Sequence, residues 1–174
     1  SVDIDGIQHS LEQIAWVERA DIRRIWPNEL VIEVVPHKPV ARWGETELLS
    51  VQADIFAQQG MQGFEALPFL AGPADSQDQV MPQYRLLTQA LRPLGQTVER
   101  LEMRERGSWF LTTNTGLELL LGREQIMEKI RRLVTLYEKE LKEQMNQIAR
   151  IDLRYANGLA VTWREVAKQD AVVQ

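Results

Sequence analysis

The sequence predicts an α+β fold: a helix plus a β-hairpin, followed by a mainly antiparallel β domain with two helices. Three observations carry this expectation. Extended, β-branched runs with apolar residues at every second position recur along the chain, bounded by Gly, Pro or Asn turn residues. Two longer segments, "PQYRLLTQALRPLG" and "REQIMEKIRRLVTLYEKELKEQM", instead space their apolar residues at helical intervals. Pro36 and Pro39 in "VVPHKPVARW" interrupt the extended pattern, because proline lacks the N–H that an interior strand donates, and they mark a domain boundary.

The opening segment "SVDIDGIQHSLEQIAWV" offers Asp3 or Asp5 as a helix cap and places Ile7, Leu11 and Ile14 on one face. "WVERADIRRIW" and "LVIEVV" read as strands joined through Trp26-Pro27-Asn28-Glu29. From Ala41 the expected strands are short, around "ARWG", "ELLSVQ" and "DIFAQQG", and a Gly/Pro/Ala/Asp/Ser-rich loop follows near 71–79. The next helix is expected to start near Pro82, to end at Pro93 and to bury Leu87, Leu91 and Leu94. "VERLEMRE", "SWFLTTN" and "GLELLLG" read as a three-stranded meander with turns at "RERG" and "TNTG". The longest helix then carries Ile126, Ile130, Leu133, Tyr137 and Leu141 in one stripe that packs on the sheet.

The last ordered segment, "RIDLRYANGLAVTW", is a β-hairpin. A two-residue turn at Asn157-Gly158 would mix apolar and charged side chains on one face. A three-residue loop with Gly158 left-handed pairs Tyr155 with Leu159, Leu153 with Val161 and Ile151 with Trp163, and puts all six on one face. Asp152, Arg154, Ala160 and Thr162 take the opposite face, open to solvent or to a partner. The residues beyond, "REVAKQDAVVQ", are polar and expected to fray, with 167–174 a flexible tail.

Composition narrows the function. With 44% hydrophobic and 26% charged residues, the chain is of ordinary globular type, and its 174 residues fit one domain or two small ones. A formal charge of -5 argues against nucleic acid, whose binding requires phosphate neutralisation. The absence of cysteine excludes disulfides and thiolate chemistry and leaves the compartment open. No run approaches the ~18 apolar residues of a membrane helix, and no signal-peptide pattern is visible. His9 and His37 are isolated, "RGSWF" is not a nucleophile elbow, and the glycines stand singly at turns, so no catalytic, metal or cofactor site is expected. Arg23-Arg24 and Arg131-Arg132 are diluted by neighbouring acids and read as solvated faces. Trp26, Trp43 and Trp109 read as core side chains, while core and interface stay equally open for Trp163.

Against this background "LEQIAWVERADIRRIWPNELVIEVVPHKPVARW", with its Trp16-Val17 pair, Trp26-Pro27-x-x-Leu30 turn and Pro39-Val40-Ala41-Arg42-Trp43 run, resembles the junction of the polypeptide-transport-associated (POTRA) domain and β-domain in the FtsQ/DivIB family of bacterial cell-division proteins. "LLLGR" before a long helix and the closing "IDLRYANGLAVTW" extend the resemblance over about residues 7 to 163. It implies a partial POTRA domain at 1–37 and an FtsQ-type β-domain at 38–166. Family members carry a cytoplasmic tail, one membrane helix and a first POTRA strand and helix ahead of this region, so the chain is expected to be a periplasmic fragment lacking those parts. The implied function is that of a non-catalytic scaffold of the division complex, on the periplasmic face of the inner membrane at the septum, which binds FtsB and FtsL. The last β-domain strand and the neighbouring helix are expected to receive FtsB, which adds a strand, with POTRA serving recruitment. The implied contact residues are Arg123, Arg154, Tyr155, Gly158 and Trp163, with Asn157, Leu159, Ala160 and Thr162 in the same hairpin. Arg123, expected at the start of the long helix, would meet an acidic partner side chain. A client-binding POTRA module of outer-membrane protein assembly is the competing expectation.

Overall fold

The computed structural model describes residues 2–57 and 62–165. The tail expected at 167–174 lies outside the described residues. The chain divides into two compact units, residues 1–70 and 71–174.

In the first unit Asp3 caps α1 (Ile4–Glu12), its carboxylate accepting the Gly6 N–H at 3.0 Å. Asp5 sits in the first turn, where a negative charge meets the positive end of the helix dipole. β1 (Val17–Ile25) and β2 (Glu29–Pro36) form an antiparallel hairpin, with Val17 and Ala20 buried. Trp26, expected in the core, is 83% exposed, because it occupies the turn beyond the last paired residue rather than a position on the sheet. β3 (Ala41–Trp43), β4 (Glu47–Leu49) and β5 (Ile55–Ala57) pair antiparallel in succession. On the other side of β3 runs β6 (Phe69–Ala71), parallel to it and unforeseen in the sequence. Three residues behind a proline are too short to show a period. β3 defines this strand, the Arg42 and Gly44 N–H groups donating to Pro68 O and Leu70 O at 2.9 Å each. Trp43, Leu48, Leu49, Phe56, Phe69 and Leu70 make up most of its core.

In the second unit α2 (Gln77–Ala90) starts ahead of Pro82, not at it. Proline inside a helix costs a hydrogen bond, but Val80 and Met81, on the early turn, are buried together with Leu87, and their burial carries the helix through. Leu91 and Leu94 are buried as expected. The meander forms as β7 (Val98–Met103), β8 (Trp109–Thr113) and β9 (Glu118–Gly122). The long helix is regular only over α3 (Ile126–Leu136); a π turn (Tyr137–Leu141) and a 3-10 stretch (Lys142–Gln147) follow. Widening the turn to i→i+5 rotates Tyr137 and Leu141 away from the stripe, so they are half-buried whereas Ile126, Ile130 and Leu133 are buried.

From there β10 (Ile148–Asp152) returns parallel to β9 and pairs antiparallel with β11 (Ala160–Trp163). Within this unit the strand order is β11-β10-β9-β8-β7, so β11 is an edge. The hairpin register differs from the expected one: Ile151 faces Val161, Asp152 faces Ala160 and Arg150 faces Thr162. A shift of two residues preserves the faces of the sheet, which is why alternation could not reveal it. The cause is tertiary. Leu153 donates its N–H to Leu120 O at 2.8 Å and is fully buried, which ties the end of β10 to β9 and leaves 153–159 as the connection. With that much chain available Gly158 does not need, and does not take, a left-handed conformation.

Candidate functional site: the free edge at β11

Which backbone groups face outward along β11 follows from the pairing of β10. Leu153 N–H points to β9, so by alternation Ile151 does too, while Arg150 and Asp152 turn their peptide groups toward β11. Their partners Thr162 and Ala160 therefore face inward, in line with the Arg164 N–H donating to Gln147 O at 2.7 Å. Val161 and Trp163 consequently aim their N–H and C=O groups away from the sheet. Among the described residues nothing pairs with these groups, and such a ladder, with no lysine, proline or inward charge on the strand, is a template for a further strand.

Three basic side chains that sequence reasoning passed over brace this region, two of them bonding to or from the last hairpin and one to β9. Arg132, read as part of a solvated pair, donates from Nη1 to Tyr155 O (3.2 Å) and Gly158 O (3.1 Å) and from Nη2 to Ala156 O (2.8 Å). Arg164 donates from Nε to Ile148 O (3.3 Å) and from Nη2 to Thr115 O (2.6 Å). Lys129, one helical turn before Arg132, is buried and donates to Leu121 O at 2.7 Å. No sequence signal marks any of them, since acceptors on distant backbone leave no pattern. Gly122, at φ 71°, makes room for the arrangement: a Cβ there would stand 3.2 Å from Lys129 Nζ and 3.4 Å from Arg154 Cγ.

Of the expected site residues, Arg154, Tyr155, Asn157, Gly158 and Leu159 lie together in the connection, and Ala160, Thr162 and Trp163 on β11. Tyr155 is not on the core face but 55% exposed in the bend, and Trp163, at 49%, is exposed on the edge strand. Leu159 and Gly158 are half-buried; Asn157, Ala160 and Thr162 are exposed. Arg123 is exposed and outside the first turn of α3, because the left-handed residues Gly122 and Gln125 turn the chain before the helix begins at Ile126. The helix dipole therefore bears little on its charge. Gly122, its neighbour, is what adjoins Arg154.

Arg154 is oriented by Asp152, the last residue of β10. Its Nε and Nη2 donate to the two oxygens of Asp152 at 2.9 and 2.8 Å, and its N–H donates to the same carboxylate at 3.0 Å. The side-chain hydrogen bond from Arg154 is the main reason the Asp152 carboxyl lies below its ordinary value, with partial burial opposing it. A depressed carboxyl stabilises the fold at pH values above its unfolded pKa of about 3.9, and that contribution disappears as pH falls through the folded value. The acid limb of the stability profile, read from urea midpoints between neutral pH and about pH 2, should therefore be shallower in Asp152→Asn than in the parent; equal slopes would mean the pair carries none of it.

A helix with an antiparallel hairpin, followed by a mixed sheet whose final strand is open, is the build of an α+β module of the POTRA-plus-β-domain class. Residues 1–37 match the family described as POTRA domain, FtsQ-type, and residues 41–154 match Cell division protein FtsQ/DivIB, C-terminal. Among curated relatives, the chain is 36% identical to Cell division protein FtsQ of Coxiella burnetii, over 94% of this chain and 68% of the relative. It is 36% identical to the Shewanella oneidensis protein of that name (99% and 66%) and 34% identical to that of Acinetobacter oleivorans (93% and 57%). The chain thus spans about half to two thirds of the length of such relatives. It belongs to the FtsQ/DivIB family and is a cell division protein.

Proposed function

We propose that the chain is a non-catalytic scaffold of the bacterial division complex that binds FtsB, and FtsB together with FtsL, by receiving a strand along β11. The observation that carries this reading is the pair of outward-facing peptide groups at Val161 and Trp163 on an unprotected edge. The exposed rings of Tyr155 and Trp163 flank that edge as aromatic anchors. Arg154 still has guanidinium N–H groups beyond the two that Asp152 takes, and Arg123 makes no ion pair among the described residues, so both are available to an acidic partner. No described helix is long and apolar enough to cross a membrane. In this reading the scaffold faces the periplasm at the septum, with a POTRA part at 1–37 for recruitment and a β-domain at 38–166. That division is supported by the two family matches, which meet between residues 37 and 41.

Amide exchange tests the reading. Titrating the soluble chain with the periplasmic segment of FtsB should slow exchange of the Val161 and Trp163 amides by at least tenfold, while the already paired Ala160 and Thr162 amides change less. Binding that leaves Val161 and Trp163 as exchangeable as before would place the partner elsewhere, and an envelope pull-down that returned barrel precursors instead of division proteins would favour the outer-membrane alternative.

A further inference from the structure

We infer that Arg132 is a positioning residue for partner binding: from α3 it sets the conformation of the 153–159 connection and so fixes the edge that β11 presents. This inference rests on the reading of β11 as the binding edge. Arg132 is well placed for the task, since Ile130 and Leu133 beside it on the helix are buried and hold its backbone in place. Its planar guanidinium offers donors in a rigid fork, and three carbonyls of one loop, those of Tyr155, Ala156 and Gly158, converge on it. Among the described residues no backbone hydrogen bond closes the chain across 155–158. The usual device of a tight turn is therefore absent, and a single side chain substitutes for it. Arg164 secures the opposite end of β11 through Ile148 O and Thr115 O, so the strand is fastened at both ends while its middle stays open.

The consequence is preorganisation. A loop that must be ordered at the moment of binding lowers apparent affinity by the fraction of time it spends in the competent arrangement. Lysine at 132 keeps the charge but supplies a point donor in place of the fork, and a loop that is competent about a tenth of the time would bind about tenfold more weakly.

The experiment uses the soluble chain, the periplasmic segment of FtsB as probe, and the variants Arg132→Lys and Arg132→Gln. Both should lose about tenfold in affinity. Amides at 155–159 should exchange about tenfold faster, with those of Ile130 and Leu133 unchanged. Because lysine retains the charge, a direct electrostatic contact would instead be rescued by Arg132→Lys and not by Arg132→Gln, and that result would overturn the inference. So would parent-like affinity in both variants, a loss of affinity with no change in loop exchange, or global unfolding of both, which would make Arg132 a determinant of the fold as a whole. Val161→Pro, run in parallel, separates the two readings: if it binds FtsB like the parent, the edge-strand reading itself has failed; if it binds more weakly while both Arg132 variants bind like the parent, only the positioning role has.

Discussion

Proline at Val161 should leave the second unit folded and weaken partner binding, whereas proline at Thr162 should damage the fold. The two positions are adjacent on β11 but face opposite ways. Thr162 shares its peptide hydrogen bonds with Arg150 of β10, so its loss removes a ladder bond and strands an acceptor, at a cost of about 1–3 kcal/mol. The Val161 N–H points away from the sheet, which is where edge strands tolerate proline. An incoming strand, however, would meet a position with no donor and a ring in its path. Losing one main-chain bond and the close approach of its neighbours should weaken FtsB binding by on the order of tenfold or more. Circular dichroism with urea unfolding reports the first effect and titration calorimetry the second. A Val161→Pro variant that folds and binds like the parent would exclude strand addition at this edge.

Leu153→Ala and Tyr155→Ala should separate in the opposite sense. Simple alternation places both side chains on one face, and in the structure only Leu153 is inside. Emptying that site removes a fully buried side chain where β10 is tied to β9, and should cost about 2–5 kcal/mol. Tyr155, more than half exposed in the bend, should cost no more than about 0.5 kcal/mol of stability. Its truncation should instead weaken FtsB binding by about 2 kcal/mol, roughly thirtyfold, if the ring is an anchor at the rim. Chemical denaturation of both variants, followed by titration, tests the pair; equal destabilisation would mean that the side chains share the core after all.

The elements legible in the sequence were those whose cause is local. α1 announces itself through Asp3, and the β7–β8–β9 meander through its alternation and the turns at 104–107 and 113–116. The α3 stripe of Ile126, Ile130 and Leu133 is a period that any helix of this sequence would bury. The presence of a final hairpin was likewise legible in its alternation, but not where its strands stop: alternation carries Tyr155 onto the core face with Leu153, and in the structure it lies exposed in the bend beyond β10. β6 was not legible, because three residues become a strand only when β3 lies beside them. Nor was the start of α2, where burial of Val80 and Met81 outweighs the local objection of Pro82.

For the candidate site the division is sharper. The residue types of the edge, the aromatic pair Tyr155 and Trp163 and the lack of protective residues on the strand are all written in "RYANGLAVTW". Which peptide groups point outward is not, because alternation in a hairpin of unsettled register does not say which edge of β10 is taken up by β9. Parallel pairing with β9 decided that register, through Leu153 and Leu120, and the carbonyls gathered by Arg132 decided the path of the loop. Those acceptors are backbone atoms some two dozen residues away along the chain. Side-chain periodicity records which way a residue faces, but backbone acceptors are the same at every residue, so only the folded chain could assign them a donor.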